Sequence, residues 1–299
     1  MKSHLNPPKG KKLLRLKKTK YYKEILTRNK FPFLWKGLGI GMNLELKNKN
    51  ALVCGSTQGI GKATAILLAE EGANVTLIAR NEEKLKSVLA ELPNNNQKHS
   101  YLVADFSKPK ELKKVLKTSH LQFHILVNNT GGPAGGSIFN AKIGEFQKAF
   151  TLHLKCNHIL VQALVPYMKE VKYGRIINVI STSVKQPLDG LGVSNTIRGA
   201  VANWSKTLAN ELGQFSITVN NVLPGATKTE RLNEIIKNKA AKTGLSIEKV
   251  SKIMMKASPA NRFAKPEEIA NAIVFLTSDK AAFINGINVP VDGGRTKSL

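Results

Sequence analysis

At 299 residues, with 42% hydrophobic content, 12 Pro and 23 Gly, the chain can bury a sizeable core as one large α/β domain or two smaller ones. No run of about 18 apolar residues suggests a membrane span. The net charge of +26 points at first to nucleic acid or an anionic membrane, but residues 1–41 hold twelve Lys/Arg against Glu24, which is +11 of that total, and acids are interspersed along the rest.

Residues 1–41 form a basic extension that reads as a solvated, disordered tail, with an anionic surface partner for Lys11–Lys23 as the alternative. Pro32 and Lys36 interrupt the apolar Phe31–Trp35 stretch, so there is no continuous signal-peptide core. A transit peptide would be Arg- and Ser-rich, whereas this tail is Lys-rich with one serine, Ser3. The expected location is the cytoplasm. Met42 is an alternative start, because Met42-Asn43-Leu44-Glu45-Leu46-Lys47 leads straight into the first strand; residues 42–299 are expected to form one domain.

From residue 50 onward, short apolar runs alternate with segments of helical period, the pattern of βαβ units and a parallel sheet. Strands are predicted at Ala51–Cys54, Asn74–Ala79, Ser100–Ala104, Ile125–Asn128, Arg175–Ile180, Thr218–Leu223 and Ile287–Val291. Helices are predicted at Ile60–Glu71, Glu82–Glu91, Pro109–Lys117, Gly144–Lys172, Thr196–Leu212 and Pro266–Thr277. Seven strands covered by helices on both faces through right-handed crossovers give a single doubly wound, Rossmann-type α/β domain. Cys54 and Cys156 lie in apolar stretches and read as core residues; no disulfide or metal site is expected.

The strand Ala51–Cys54 runs into Gly55-Ser56-Thr57-Gln58-Gly59-Ile60-Gly61 and then a helix. In that context Gly55 permits a tight turn, Gly59 lets the backbone approach a pyrophosphate, and Gly61 allows close packing of helix on strand. The glycine spacing resembles the short-chain dehydrogenase/reductase family, and in overall sequence the 3-oxoacyl carrier-protein reductases within it. Four later segments agree in order: Asp105-Phe106-Ser107, Asn128-Asn129-Thr130-Gly131, Pro224-Gly225-Ala226-Thr227-Lys228-Thr229 and Val291-Asp292-Gly293-Gly294. The likeness spans roughly residues 44–294. It implies an adenine contact at Asp105, a nicotinamide carboxamide held by Pro224–Thr229, a helical substrate lid within 230–262, and a homo-oligomer, a homotetramer in family style, pairing its two long central helices.

The second strand ends Leu77-Ile78-Ala79-Arg80, with no acid for the ribose hydroxyls of NAD and a cation suited to the 2′-phosphate, so NADP(H) is favoured over NAD(H). Arg80 as a solvated charge at the helix start is the competing reading.

Carbonyl reduction needs an acid and hydrogen-bond donors at the substrate oxygen. In the family these are a Tyr and a Lys four residues on, a Ser after the preceding strand, and an Asn on the long helix. Here Ser181 falls on the family serine, but Ser194 stands at the Tyr position, Arg198 at the Lys position and, counting back from Pro166 and Met168, His153 at the Asn position. A serine hydroxyl has no accessible pKa, and arginine's, above about 12, prevents proton relay. Arg198 can still supply positive charge and bind ribose hydroxyls, and His153 is the candidate proton donor if it faces Ser181, with Asp189 a weaker one. Blander readings are a satisfied helix histidine at His153, a helix N-cap at Ser194, a plain strand-end hydroxyl at Ser181, and core or lid packing for Met254 and Met255.

Two functions follow from this pattern: an NADP-dependent oxidoreductase acting on a small-molecule or acyl-type carbonyl with a substitute catalytic set, or a catalytically silent NADP-binding protein with a sensing or structural role. Nucleic-acid binding rests on residues 1–41 alone and is the weakest reading.

Overall fold

The computed structural model describes residues 43–119 and 122–298; the basic extension and Met42 lie outside them. Residues Leu44–Leu299 cluster as one compact unit. Its strands are β1 Asn50–Cys54, β2 Asn74–Ala79, β3 Ser100–Val103, β4 Ile125–Asn128, β5 Gly174–Val179, β6 Ile217–Pro224 and β7 Asn288–Val291. They form a seven-stranded sheet in the order β3-β2-β1-β4-β5-β6-β7, every neighbouring pair parallel. The strand order reverses between β1 and β4, and that reversal opens a crevice at the carboxyl ends of the strands.

Alternate strand residues face opposite layers, so the central strands are apolar on both sides. Val53, Val75, Ile125 and Val127 pack on the layer of α1 (Gly59–Glu70), α2 (Glu82–Glu91) and α9 (Pro266–Thr277). Leu52, Leu126 and Ile176 pack on the layer of α3 (Pro109–Lys117), α5 (Cys156–Glu170) and α6 (Gly192–Leu212). Cys54 and Cys156 are buried free thiols in this second layer, and burial raises both pKa values.

Local chemistry sets the helix ends. Asn81 caps α2 by accepting from the Lys84 N–H, with Glu82 and Glu83 in the first turn. Pro109 and Pro266 stand at the starts of α3 and α9, where a missing N–H costs nothing.

Three helices differ from the sequence expectation. The long helix over 144–172 is α4 (Ile143–Phe150), a π-helical segment Thr151–Lys155, and α5. A π turn accommodates one extra residue without changing the apolar period on either side, so periodicity does not register it. The helix predicted from Thr196 begins at Gly192, where a Cβ would stand 2.4 Å from that of Ile138. The stretch after Glu230 divides at left-handed Gly244 into α7 (Glu230–Thr243) and α8 (Ile247–Lys256). Met254 and Met255 pack between these two helices with Leu232, Ile236 and Val250.

One row of polar residues crosses four strands. Asn128, Asn178, Asn221 and Asn288 are register partners on β4 to β7. Each donates to the next: Asn128 Nδ2 to Asn178 Oδ1 at 2.8 Å, Asn178 Nδ2 to Asn221 Oδ1 at 3.1 Å, and Asn221 Nδ2 to Asn288 Oδ1 at 2.8 Å. Asn178 Nδ2 also donates to Ser205 Oγ at 2.9 Å, tying α6 to the sheet. A one-residue slip would turn these amides to the other face and leave them unpaired. Asn178→Leu is therefore expected to cost about 2–4 kcal/mol in urea unfolding, since it orphans buried groups on both neighbouring strands. A loss below about 1 kcal/mol would show that the row does not hold the register.

Candidate active site

The carboxyl ends of β1, β4, β5 and β6 meet around a cleft lined by Gly55, Gly59 and Ile60, by Asn129 and Gly131, by Ser181, by Ser194 and Arg198, and by Pro224, Gly225 and Thr229. These residues, scattered through the sequence, are brought together there. Gly55 and Gly59 adopt φ of +58° and +56°. A Cβ at Gly55 would stand 2.5 Å from the Asn129 carbonyl oxygen, and one at Gly61 would stand 2.2 Å from that of Gly55. Asn129 Nδ2 donates to the carbonyls of Cys54 and Gly55, both at 3.3 Å, locking the turn to β4. Glycine here leaves open backbone beside the first turn of α1, where N–H groups point outward, and the buried Ser56 hydroxyl has no partner. This cradle fits a dinucleotide pyrophosphate.

A second depression at the ends of β2 and β3 is lined by Arg80, Asn81, Asp105 and Lys108. Asp105 accepts from the Ser107 N–H at 2.8 Å, which holds its pKa below the usual carboxylate value, with Arg80 and Lys108 acting in the same sense.

Several expected site residues stand elsewhere. Thr57 and Gly61 belong to the turn but do not line the cleft. Phe106 is buried in the core against α5, and its carbonyl accepts from the Cys156 thiol at 3.1 Å. Asn128 is committed to the asparagine row. Asp189 is exposed and outside the lining. Ser194 lies inside the first turn of α6 rather than capping it, because the helix starts two residues earlier; its half-buried position faces the cleft.

His153 also departs from expectation. It lies in the π segment, 1% exposed, with Nδ1 2.6 Å from Thr130 Oγ1 and Nε2 buried without a partner. Thr130 lines the cleft and His153 stands behind it. Burial first, and then the nearby Arg198 cation, push its pKa down to about 2. The ring is thus neutral at physiological pH, and imidazolium is not available there as an acid.

Arg198 is buried at 7% exposure, with Nη1 donating to the Val179 carbonyl at 2.8 Å and Nε unpartnered. Burial lowers its pKa to about 10, so it stays a cation. Ser181 Oγ accepts from the Ser183 N–H at 3.1 Å, leaving its own proton free to donate. Among the described residues no tyrosine lines the cleft. Tyr173, the one nearest in sequence, donates to the Thr277 carbonyl at 3.0 Å from the amino end of β5.

Sequence reasoning missed Arg231. On the first turn of α7 it lines the cleft, donates to the Pro133 carbonyl at 2.5 Å and pairs with Glu234 at 3.3 Å. A lone arginine beside Glu230 carries no local signal; its meaning comes from the loop it reaches, 98 residues away.

A doubly wound sheet with a glycine cradle at its switch point defines a dinucleotide-dependent oxidoreductase. Residues 55–296 match the family model described as enoyl-(acyl carrier protein) reductase, and the chain belongs to the short-chain dehydrogenase/reductase family. It is 32% identical over 254 residues to L-xylulose reductase of Caenorhabditis elegans, covering 84% of this chain and 97% of that one. It is 32% identical over 256 residues to the 3-oxoacyl-[acyl-carrier-protein] reductase FabG of Thermotoga maritima, covering 84% and 99%. The L-sorbose reductase of Gluconobacter frateurii, solved with NADPH and L-sorbose, superposes with a TM-score of 0.80 at 31% identity, covering 86% and 100%. The chain is an NAD(P)-dependent short-chain oxidoreductase. No helix among the described residues is long and apolar enough to cross a membrane.

The depressed His153 pKa has a consequence for acid stability. Because the folded value lies below the unfolded value of 6.5, the neutral ring contributes its full stability above about pH 6.5, and this is lost as pH falls toward about 2. Between about pH 7 and pH 4.5 the loss from this group is about 2–3 kcal/mol. In His153→Asn the pH dependence of urea unfolding should flatten by that amount; an unchanged slope would show that His153 titrates normally.

Proposed function

We propose that the chain is an NADP(H)-dependent carbonyl reductase in which Ser181, Ser194 and Arg198 replace the family's usual proton-transfer set. The observation that carries this reading is their placement in one cleft with the glycine cradle and the Pro224–Thr229 segment. Gly55, Ser56, Gly59 and Ile60 would seat the pyrophosphate on the turn that Thr57 and Gly61 help to close, Asp105 the adenine, and Asn129, Gly131, Pro224, Gly225 and Thr229 the nicotinamide half. When bound, NADPH supplies the hydride. Arg80, with Lys108 beside it and no acid at the end of β2, favours the 2′-phosphate.

Ser181 donates a hydrogen bond to the substrate carbonyl oxygen, and the Arg198 cation stabilises the negative charge that grows there. Ser194, which lines the same cleft, donates a second hydrogen bond to that oxygen, and water in the open cleft supplies the proton. His153 acts as a positioning residue, holding Thr130 and the start of the 130–136 loop through its neutral ring. Helices α7 and α8 form the substrate lid. The acyl-type substrates named for the FabG relative set the first panel to try. A homotetramer through α5 and α6 belongs to the same reading, and exposed Phe139, Ile143 and Phe283 are apolar surface available for association.

A silent NADP-binding role is the second reading, favoured by the absence of any carboxylic acid or tyrosine from the described lining. NADPH fluorescence followed by a carbonyl panel separates the two: oxidation of NADPH supports the reductase, whereas tight binding with no oxidation on any carbonyl favours the silent role. Ser181→Ala should lower kcat/KM by at least about 100-fold, the loss typical of one oxyanion donor, with the Kd for NADPH within about threefold. Arg80→Glu should weaken NADPH about tenfold or more and NADH less than about threefold, in equilibrium titrations. Equal effects on both dinucleotides would remove Arg80 from the phosphate site.

A further inference from the structure

The segment Thr130-Gly131-Gly132-Pro133-Ala134-Gly135-Gly136 holds four glycines, so fixing it in one conformation costs more backbone entropy than fixing an ordinary loop, and it needs ties. Its two ends are tied to the body of the domain. Thr130 Oγ1 meets His153 Nδ1 at 2.6 Å, the Gly136 N–H donates to the Gly190 carbonyl at 2.7 Å, and the Gly192 N–H donates to the Gly136 carbonyl at 3.2 Å. Its middle is tied to α7 instead. Arg231 Nη2 donates to the Pro133 carbonyl at 2.5 Å, while Glu234, one turn along the helix, holds Nη1 at 3.3 Å and fixes the direction of the guanidinium.

Helices α7 and α8 are built as a body of their own. Leu232, Ile236, Val250 and Phe263 form an apolar cluster separate from both layers that cover the sheet. The pair hangs from a narrow neck, where the Lys228 N–H donates to the Ala264 carbonyl and the Ala264 N–H to that of Ala226, both at 2.9 Å. Just past the neck the chain meets the glycine turn: a Cβ on Gly59 would stand 2.9 Å from Thr229 Cγ2. The cleft is thus lined on the loop side by Asn129–Pro133 and on the helix side by Thr229, Arg231, Leu232 and Ile235, and the Arg231–Pro133 bond joins the two. Hydrogen bonds with a charged donor are among the stronger ones, and this one must break before loop and helix part. Resting on the cofactor seat proposed above, we propose that Arg231 is a positioning residue that latches α7 to the 130–136 loop and so sets the rate at which the dinucleotide leaves the cleft.

The test compares the full wild-type chain with Arg231→Met, which keeps an apolar stem but no donor, and with Arg231→Lys, which keeps one charged donor. NADPH release, followed by stopped-flow fluorescence on displacement with excess NADP+, should be at least about tenfold faster in Arg231→Met, with Arg231→Lys between it and the wild type. Hydrogen exchange of the nucleotide-free proteins reads the latch separately. Backbone amides of the 131–136 loop should exchange at least about fivefold faster in Arg231→Met, while protection of residues 232–250 stays within about twofold of wild type. Release from Arg231→Met within about twofold of the wild-type rate overturns the proposal. Unchanged exchange at 131–136 does the same. Faster release accompanied by lost protection across 232–250 also overturns it, because Arg231 would then be a residue of helix folding and not a latch. Failure of the wild-type chain to bind NADPH would instead remove the cofactor reading beneath it, with the exchange of the loop still deciding whether Arg231 holds it.

Discussion

The asparagine row across β4 to β7 is the constraint on which the site depends. Asn128, Asn178, Asn221 and Asn288 share one register, and the first three lie close before segments that line the crevice. Asn129 and Thr130 follow directly on the first. Ser181 stands three residues beyond the second, and Pro224 three beyond the third. Buried amides cannot be left unpaired cheaply, so the row fixes how far each strand extends and at what height its loop emerges. Asn178 extends the same logic to α6, the helix that carries Ser194 and Arg198.

On that frame the electrostatics of the cleft hold together as one arrangement. A buried guanidinium replaces the family's lysine, and a histidine replaces its asparagine within the same neighbourhood. Two cations there would repel, and the ring is the one that yields, because burial already disfavours imidazolium and Arg198 adds to it. His153 therefore serves as a neutral hydrogen-bonding partner of Thr130. The substitutions at 153, 194 and 198 are thus not independent losses. In the reductase reading proposed above, the chemistry would rest on fixed positive charge and hydroxyl donors in place of a titratable phenol.

The loop following Asn129 links these parts. Thr130 meets His153, the Pro133 carbonyl accepts from Arg231, and Gly136 bonds reciprocally with the Gly190–Gly192 segment that starts α6. The lining of the cleft is consequently tied to α6, to α7 and to the π segment. Movement of α7 would be felt at Pro133 through Arg231.

Strand and helix order, the doubly wound sheet and the glycine turn are legible in the sequence, because these rest on local period, glycine placement and turn chemistry. The sequence also exposed the departures at His153, Ser194 and Arg198, since spacing along one helix is a one-dimensional quantity. The surroundings of those residues come from long-range packing. The π turn that carries His153 leaves the apolar period intact, the early start of α6 makes Ser194 a cleft residue instead of a cap, and the Asn128 side chain is spent on its neighbour Asn178. Arg231 acquires its role from a carbonyl 98 residues away. Burial, long-range pairing and the charge of a neighbour set protonation and accessibility, and none of these is a property of adjacent residues.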